Sequence, residues 1–188
     1  MANTKASAES AAAALDGTEI VRIVQSGSSV RTTVGGMSRV AQVVNTQTGA
    51  VATGTTTVPL DDTIPQNTEG TEFMTLAITP TSATSTLLIT AELYLTCASA
   101  DKHMIAALFQ DTTAGALAAA VHYNATAGGG SRVIFSHKMT SGTTSATTFK
   151  VRAGPNAAAT ITFNGAAGGR IFGGVAASSI TITEMRPF

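Results

Sequence analysis

Residues 72–110 read EFMTLAITPTSATSTLLITAELYLTCASADKHMIAALFQ. Three runs rich in apolar and β-branched residues, 72–78, 86–97 and 103–110, are separated by Pro80-Thr81-Ser82 and Ser99-Ala100-Asp101. Pro, Ser and Asp favour turns, and the runs have the length of strands, so the segment predicts three strands. The rhythm continues downstream, with strands expected at 116–123, 131–140, 146–153, 158–164 and 178–185. Gly128-Gly129-Gly130, Ser141-Gly142, Gly154-Pro155-Asn156 and 165–169 supply the intervening turns. The Ala- and Leu-rich stretch 104–120 is the one helical rival, and Asp111-Thr112-Thr113 with Gly115 break it. Eight short strands with no convincing amphipathic helix give an all-β fold class. Its body is a C-terminal antiparallel β-sandwich, jelly-roll-like, preceded by a small N-terminal β-hairpin module and a short collar.

Working outward, the first 72 residues contain none of the nine aromatic residues, which begin at Phe73. A segment this poor in bulky side chains, with no disulfide, needs help to fold, and a partner chain is the expected source. Residues 7–15 are Ala-rich and suit two helical turns ended by Asp16-Gly17. Residues 19–25 and 30–34 read as a hairpin around Ser26-Gly27-Ser28. Residues 40–46 and 50–58 read as a second strand pair around Thr48-Gly49. Pro59 and Pro65 then mark an extended connector with Asp61, Asp62, Glu69 and Glu72. The expected division is 1–36, 37–72 and 73–188.

Composition narrows the function classes. Lys plus Arg and Asp plus Glu are each 11, so the formal charge is zero, and charged residues are only 12%. Such a chain has no global attraction for nucleic acid or an anionic membrane. Thr (32) and Ala (33) dominate in place of the Glu, Lys and Leu of a coiled coil. No apolar run reaches the length of a membrane span, and MANTKASAES lacks the basic start and apolar centre of a secretory signal. The single Cys97 permits no internal disulfide, which suits synthesis in a reducing cytoplasm.

The sequence is also poor in catalytic patterns. His103, His122 and His137 fall on separate strands without HxH or HxxxH spacing, so no metal is expected. There is no nucleophile elbow, no phosphate loop and no cofactor fingerprint. Beyond Asp111 the only acid is Glu184, which leaves a sugar-cleaving carboxylate pair unsupplied in the sandwich. The expectation is a protein that is not an enzyme. Asp61, Asp62, Glu69 and Glu72 lack the alternate spacing of a calcium loop and suit a connector pairing with arginines of a neighbouring chain.

Charge is nonetheless segregated. Residues 40–101 hold six acids and no Lys or Arg, whereas 112–188 hold six bases and Glu184 alone. Early and late strands that are neighbours would pair these charges; a basic tip for acidic polysaccharide is the sharper alternative. Lys102, His103, His122, Tyr123, Asn124, Arg152 and Asn156 combine rings, amides and charges as sugar contacts do. The same residue types also cap turns in every fold.

Leu15-Asp16-Gly17-Thr18-Glu19-Ile20-Val21, Val24-Gln25-Ser26-Gly27 and Val30-Arg31-Thr32-Thr33-Val34 together resemble an N-terminal module of tailed-bacteriophage virion proteins. Asp61-Asp62-Thr63-Ile64-Pro65-Gln66, Glu69-Gly70-Thr71-Glu72, Val151-Arg152-Ala153-Gly154, Phe163-Asn164-Gly165 and Gly173-Gly174 resemble a phage tail-fibre or receptor-binding head. The resemblance implies a homotrimeric fibre or spike located in the virion. Residues 1–36, with Glu19, Ile20, Val21 and Arg31 as contacts, would attach it to capsid or tail proteins. Residues 73–188 would form a knob for a host surface glycan, with the seven residues named above as its receptor contacts. A capsid decoration or cement protein is the alternative. Neither reading involves a cofactor, nucleic acid or membrane insertion.

Overall fold

A computed structural model describes residues 38–187, together with the backbone of 20–25 and 28–33. The chain divides into two units, residues 1–39 and 40–188. In the first, β1 (Ile20–Gln25) and β2 (Ser28–Thr33) pair antiparallel with Ile20 opposite Thr33 and Gln25 opposite Ser28. This is the expected hairpin; the Ala-rich 7–15 stretch and Glu19 lie outside the described residues.

The second unit is an antiparallel β-sandwich. Its strands are β3 (Val40–Thr48), β4 (Ala52–Gly54), β5 (Thr71–Ile78), β6 (Thr86–Cys97) and β7 (Lys102–Gln110). They continue with β8 (Ala118–Asn124), β9 (Gly130–Thr140), β10 (Thr147–Pro155) and β11 (Ile161–Phe163). The small hairpin β12 (Gly165–Ala166) and β13 (Gly169–Arg170) precedes β14 (Ser178–Met185). One sheet has the order β5-β10-β7-β8, and the other β3-β14-β6-β11-β4 with β9 on the free side of β6. Most successive strands thus cross from one layer to the other, as in a jelly roll, whereas β7 and β8 are paired neighbours within one sheet. Among the described residues there is no α-helix.

Period-two alternation fills the space between the sheets. Leu87, Ile89, Leu93 and Leu95 of β6 and Ile180 and Ile182 of β14 meet Met104 and Leu108 of β7 and Phe149 and Val151 of β10, all fully buried. Phe73 stacks on Phe163 with ring centroids 5.0 Å apart, joining the two sheets.

The expected pairing of 40–46 with 50–58 is not formed. β3 pairs with β14 and β4 with β11, both as edge strands of one sheet. The reason lies at Asn164, buried and left-handed at φ 55. Its amide donates to the carbonyls of Thr48 (2.7 Å) and Ala50 (3.2 Å), and its Oδ1 accepts from the Ser178 hydroxyl (2.6 Å). These bonds hold the break between β3 and β4 against the sandwich, so the chain runs on along the edge instead of turning back. A Cβ on Gly49 would lie 1.8 Å from the carbonyl oxygen of Gly174, so only glycine passes there.

One acid is buried in the sandwich. Glu184 of β14 accepts from the Gln42 amide (2.6 Å), the Thr81 N–H (2.8 Å) and the Thr81 hydroxyl (2.7 Å). Burial pushes its carboxyl up, but these donors outweigh it. The Ser85 hydroxyl, nearby but outside hydrogen-bonding geometry, adds to them, and the carboxyl is held low, at about 2.

Candidate functional site

Charge segregation resolves into neighbouring strands of one chain. Glu72 of β5 stands within 3.5 Å of Arg152 and 3.9 Å of Lys150 on β10, and Glu92 of β6 pairs with Arg132 of β9. The acidic connector therefore meets an arginine of its own chain. Arg152 donates from Nε to the Glu69 carbonyl (2.8 Å) and from Nη2 to the Gly70 carbonyl (2.7 Å). Val58 N–H donates to the Pro155 carbonyl beside it (3.0 Å). The connector is thus laced onto β10.

Of the seven candidate contact residues, the structure gathers His103, Tyr123 and Asn156 at one end of the β5-β10-β7-β8 sheet. His103 of β7 is directly opposite Tyr123 of β8, with ring centroids 5.1 Å apart. Asn156 brackets the His103 backbone, accepting its N–H at Oδ1 (2.8 Å) and donating its own N–H to the His103 carbonyl (3.0 Å). Tyr123 donates its hydroxyl to Asp101 (2.7 Å), whose carboxylate raises the phenol pKa. His103 Nδ1 is buried without a hydrogen-bond partner.

The remaining candidates stand elsewhere. Lys102 and Asn124 are paired in the next row, on the opposite face by alternation. Asn124 is buried and donates to the carbonyls of Ser99 and Thr126. His122 is opposite Met104, on the inward-facing parity. Arg152 is opposite Ala107, well along β7 from His103. Of the N-terminal candidates, Glu19 lies outside the described residues, and Ile20, Val21 and Arg31 are described by backbone alone. Among the described residues, no three His, Cys, Asp or Glu side chains come together as a metal group would.

A second feature was not read from the sequence. The outward face of β3, β14, β6 and β9 is aligned by register into rows: Val43, Thr183, Leu88 and Lys138; Asn45, Thr181, Thr90 and Ser136; Gln47, Ser179, Glu92 and Ile134. Val43 (57%), Leu88 (37%) and Ile134 (56%) are exposed there among hydroxyls and amides. Within these rows, Glu92 and Lys138 are the only charges. A signal for this face did exist: Leu88 and Ile134 each sit in the middle of an apolar triplet, Leu87-Leu88-Ile89 and Val133-Ile134-Phe135. A strand wetted on one face alternates, so an unbroken apolar triplet predicts an apolar side chain on the outward face.

The geometry defines a class: a jelly-roll β-sandwich offering a broad, weakly charged sheet face and a small polar cluster at one end of the other sheet. Within that class the chain belongs to the family of the Pgp3 C-terminal domain, whose model matches residues 56–188. No curated protein sequence matches the chain. Among solved structures it is similar to Eiger TNF from S. frugiperda, at 9% identity over 78% of this chain and 94% of that one, with a TM-score of 0.44. It is also similar to the VP2 subviral particle of infectious bursal disease virus, at 9% identity over 91% of this chain and 43% of that one, with a TM-score of 0.35.

The family match overturns the phage reading. A fibre, spike or decoration protein, its virion location, its capsid or tail partners and the host-attachment knob are all corrected, because the head segment matches the Pgp3 C-terminal domain and not a tail-fibre family. The physical reason is that the quoted head motifs serve the sandwich itself. Arg152 laces the connector, Asn164 holds the edge break, and a Cβ on Gly154 would lie 2.2 Å from the Thr56 carbonyl. Residues chosen for packing a jelly roll do not distinguish one jelly-roll family from another.

Proposed function

We propose that this chain is a non-catalytic, self-associating β-sandwich module that closes into a homotrimer. The outward face of β3, β14, β6 and β9 is the contact surface. The observation that carries the reading is the exposure of Val43, Leu88 and Ile134 on that weakly charged face. Interface centres are depleted in charge in this way. Burial of three such side chains contributes roughly 1.5–3 kcal/mol each at full coverage. A contact between unlike patches that closes on itself makes a ring, and three is the smallest such ring. The assembly presents the Asp101–His103–Tyr123–Asn156 cluster as its polar contact surface for a partner.

The test is a pair of charge insertions, Leu88→Lys and Ile134→Lys, in the full chain. Each adds a cation where an apolar contact is proposed and leaves the sandwich interior untouched. Sedimentation velocity is expected to show loss of the trimer with the circular dichroism of the folded chain retained. A trimer unaffected by both changes overturns the reading.

A further inference from the structure

The segment between β11 and β14 folds over one end of the same outward face. Thr96 of β6 donates its hydroxyl to the Gly165 carbonyl (3.0 Å), and Thr162 accepts the Gly168 N–H (3.1 Å). Arg132 reaches from β9 to the Ala177 carbonyl (3.3 Å), and the Tyr94 N–H donates to Ser178 Oγ (2.9 Å). The loop is therefore pinned at both ends to residues of that face. At its tip the 3₁₀ turn Phe172–Gly174 turns outward, and Phe172 and Val175 are 77% and 82% exposed.

Both features are costly to an isolated chain. Phe172 is held at φ 47, a left-handed conformation that a bulky side chain seldom adopts, followed by Gly173 at 63 and Gly174 at 95. The strain is not relieved by packing, because the ring points into solvent. Backbone strain of this kind persists where the surrounding structure over-determines it, and it clusters at ligand clamps and switch regions. No Asp or Glu lies between Asp111 and Glu184, and Arg170, exposed beside the turn, forms no ion pair among the described residues.

We infer that the turn carrying Phe172 and Val175 is a docking arm, and that its partner is a second copy of this chain. The inference rests on the self-association proposed above, because the arm is continuous with that face through Arg132, Tyr94 and Thr96. A lipid surface is the competing partner. One arginine and two apolar tips give weak hold on a membrane, where stable attachment takes two strong signals. A neighbouring copy, by contrast, offers Leu88 and Ile134 on a face with few charges to desolvate.

The test follows the dilution-driven dissociation of the full-length assembly for wild type, Phe172→Asn, Val175→Ser and Leu88→Lys. Asn accepts the left-handed backbone, and Ser replaces an exposed side chain, so both arm variants retain the circular dichroism of the folded chain. The expected result is half-dissociation at about tenfold higher concentration for each arm variant. If Leu88→Lys dissociates the assembly and neither arm variant shifts it, the arm is wrong and the interface stands. A wild type that is monomeric at every concentration overturns the interface and the arm together. Co-sedimentation of wild type with phosphatidylcholine–phosphatidylserine vesicles, lost in the arm variants while dissociation is unchanged, assigns the turn to lipid and overturns the inference.

Discussion

Glu184 shows how a single side chain can couple the sandwich to pH. Its carboxyl is held at about 2 in the folded chain, below the ordinary carboxylate value of 4.5. A depressed folded pKa contributes stability that is complete above the unfolded value and is lost as pH falls toward the folded one. The loss should fall between about pH 5 and pH 2, on the order of 3 kcal/mol if the full shift is realised. Denaturant melts from pH 7 to pH 3 should lose stability in wild type, and Glu184→Gln should flatten that slope. An equal slope in both would remove Glu184 as the cause. Arg152 makes a second residue-scale case. Arg152→Ala strands the Glu69 and Gly70 carbonyls and should cost about 2 kcal/mol. Arg152→Lys should not restore it, since an ammonium lacks the fork that serves both carbonyls. Tyr123→Phe, which removes only an exposed hydroxyl bond to Asp101, should stay within about 0.5 kcal/mol of wild type by chemical denaturation.

Elements were legible in proportion to how local their causes are. Strand β6 and strand β14 fall where the apolar runs and their flanking turns place them, at 86–97 and 178–185. Pairing was less legible, because it depends on contacts distant in sequence. Residues 40–58 carry a turn signal at Thr48-Gly49, yet Asn164, more than a hundred residues on, decides that the chain continues along the edge. Nothing local to 48–50 announces that partner. The candidate site divides in the same way. His103 and Tyr123 meet because β7 and β8 are successive strands, whereas the outward face of β3, β14, β6 and β9 joins early and late segments that only the topology unites. Gly49→Ala tests the element-scale claim. Its Cβ would collide with the Gly174 carbonyl, a backbone atom that cannot rotate away, so the melt should show a loss of about 3 kcal/mol. A neutral result would mean that the edge break is loosely held.

At the scale of the whole molecule, family membership and assembly rest on different grounds. Membership in the Pgp3 C-terminal domain family follows from the match over residues 56–188, and short motifs shared by many jelly rolls pointed elsewhere. Assembly is argued from surface chemistry: a sandwich with a complete core of its own still leaves Val43, Leu88 and Ile134 on one broad face. Sedimentation equilibrium of the intact 188-residue chain over a dilution series measures this most directly. A mass about three times the 18.9 kDa of one chain, falling only on strong dilution, is the predicted result. A single-chain mass at every concentration would contradict it.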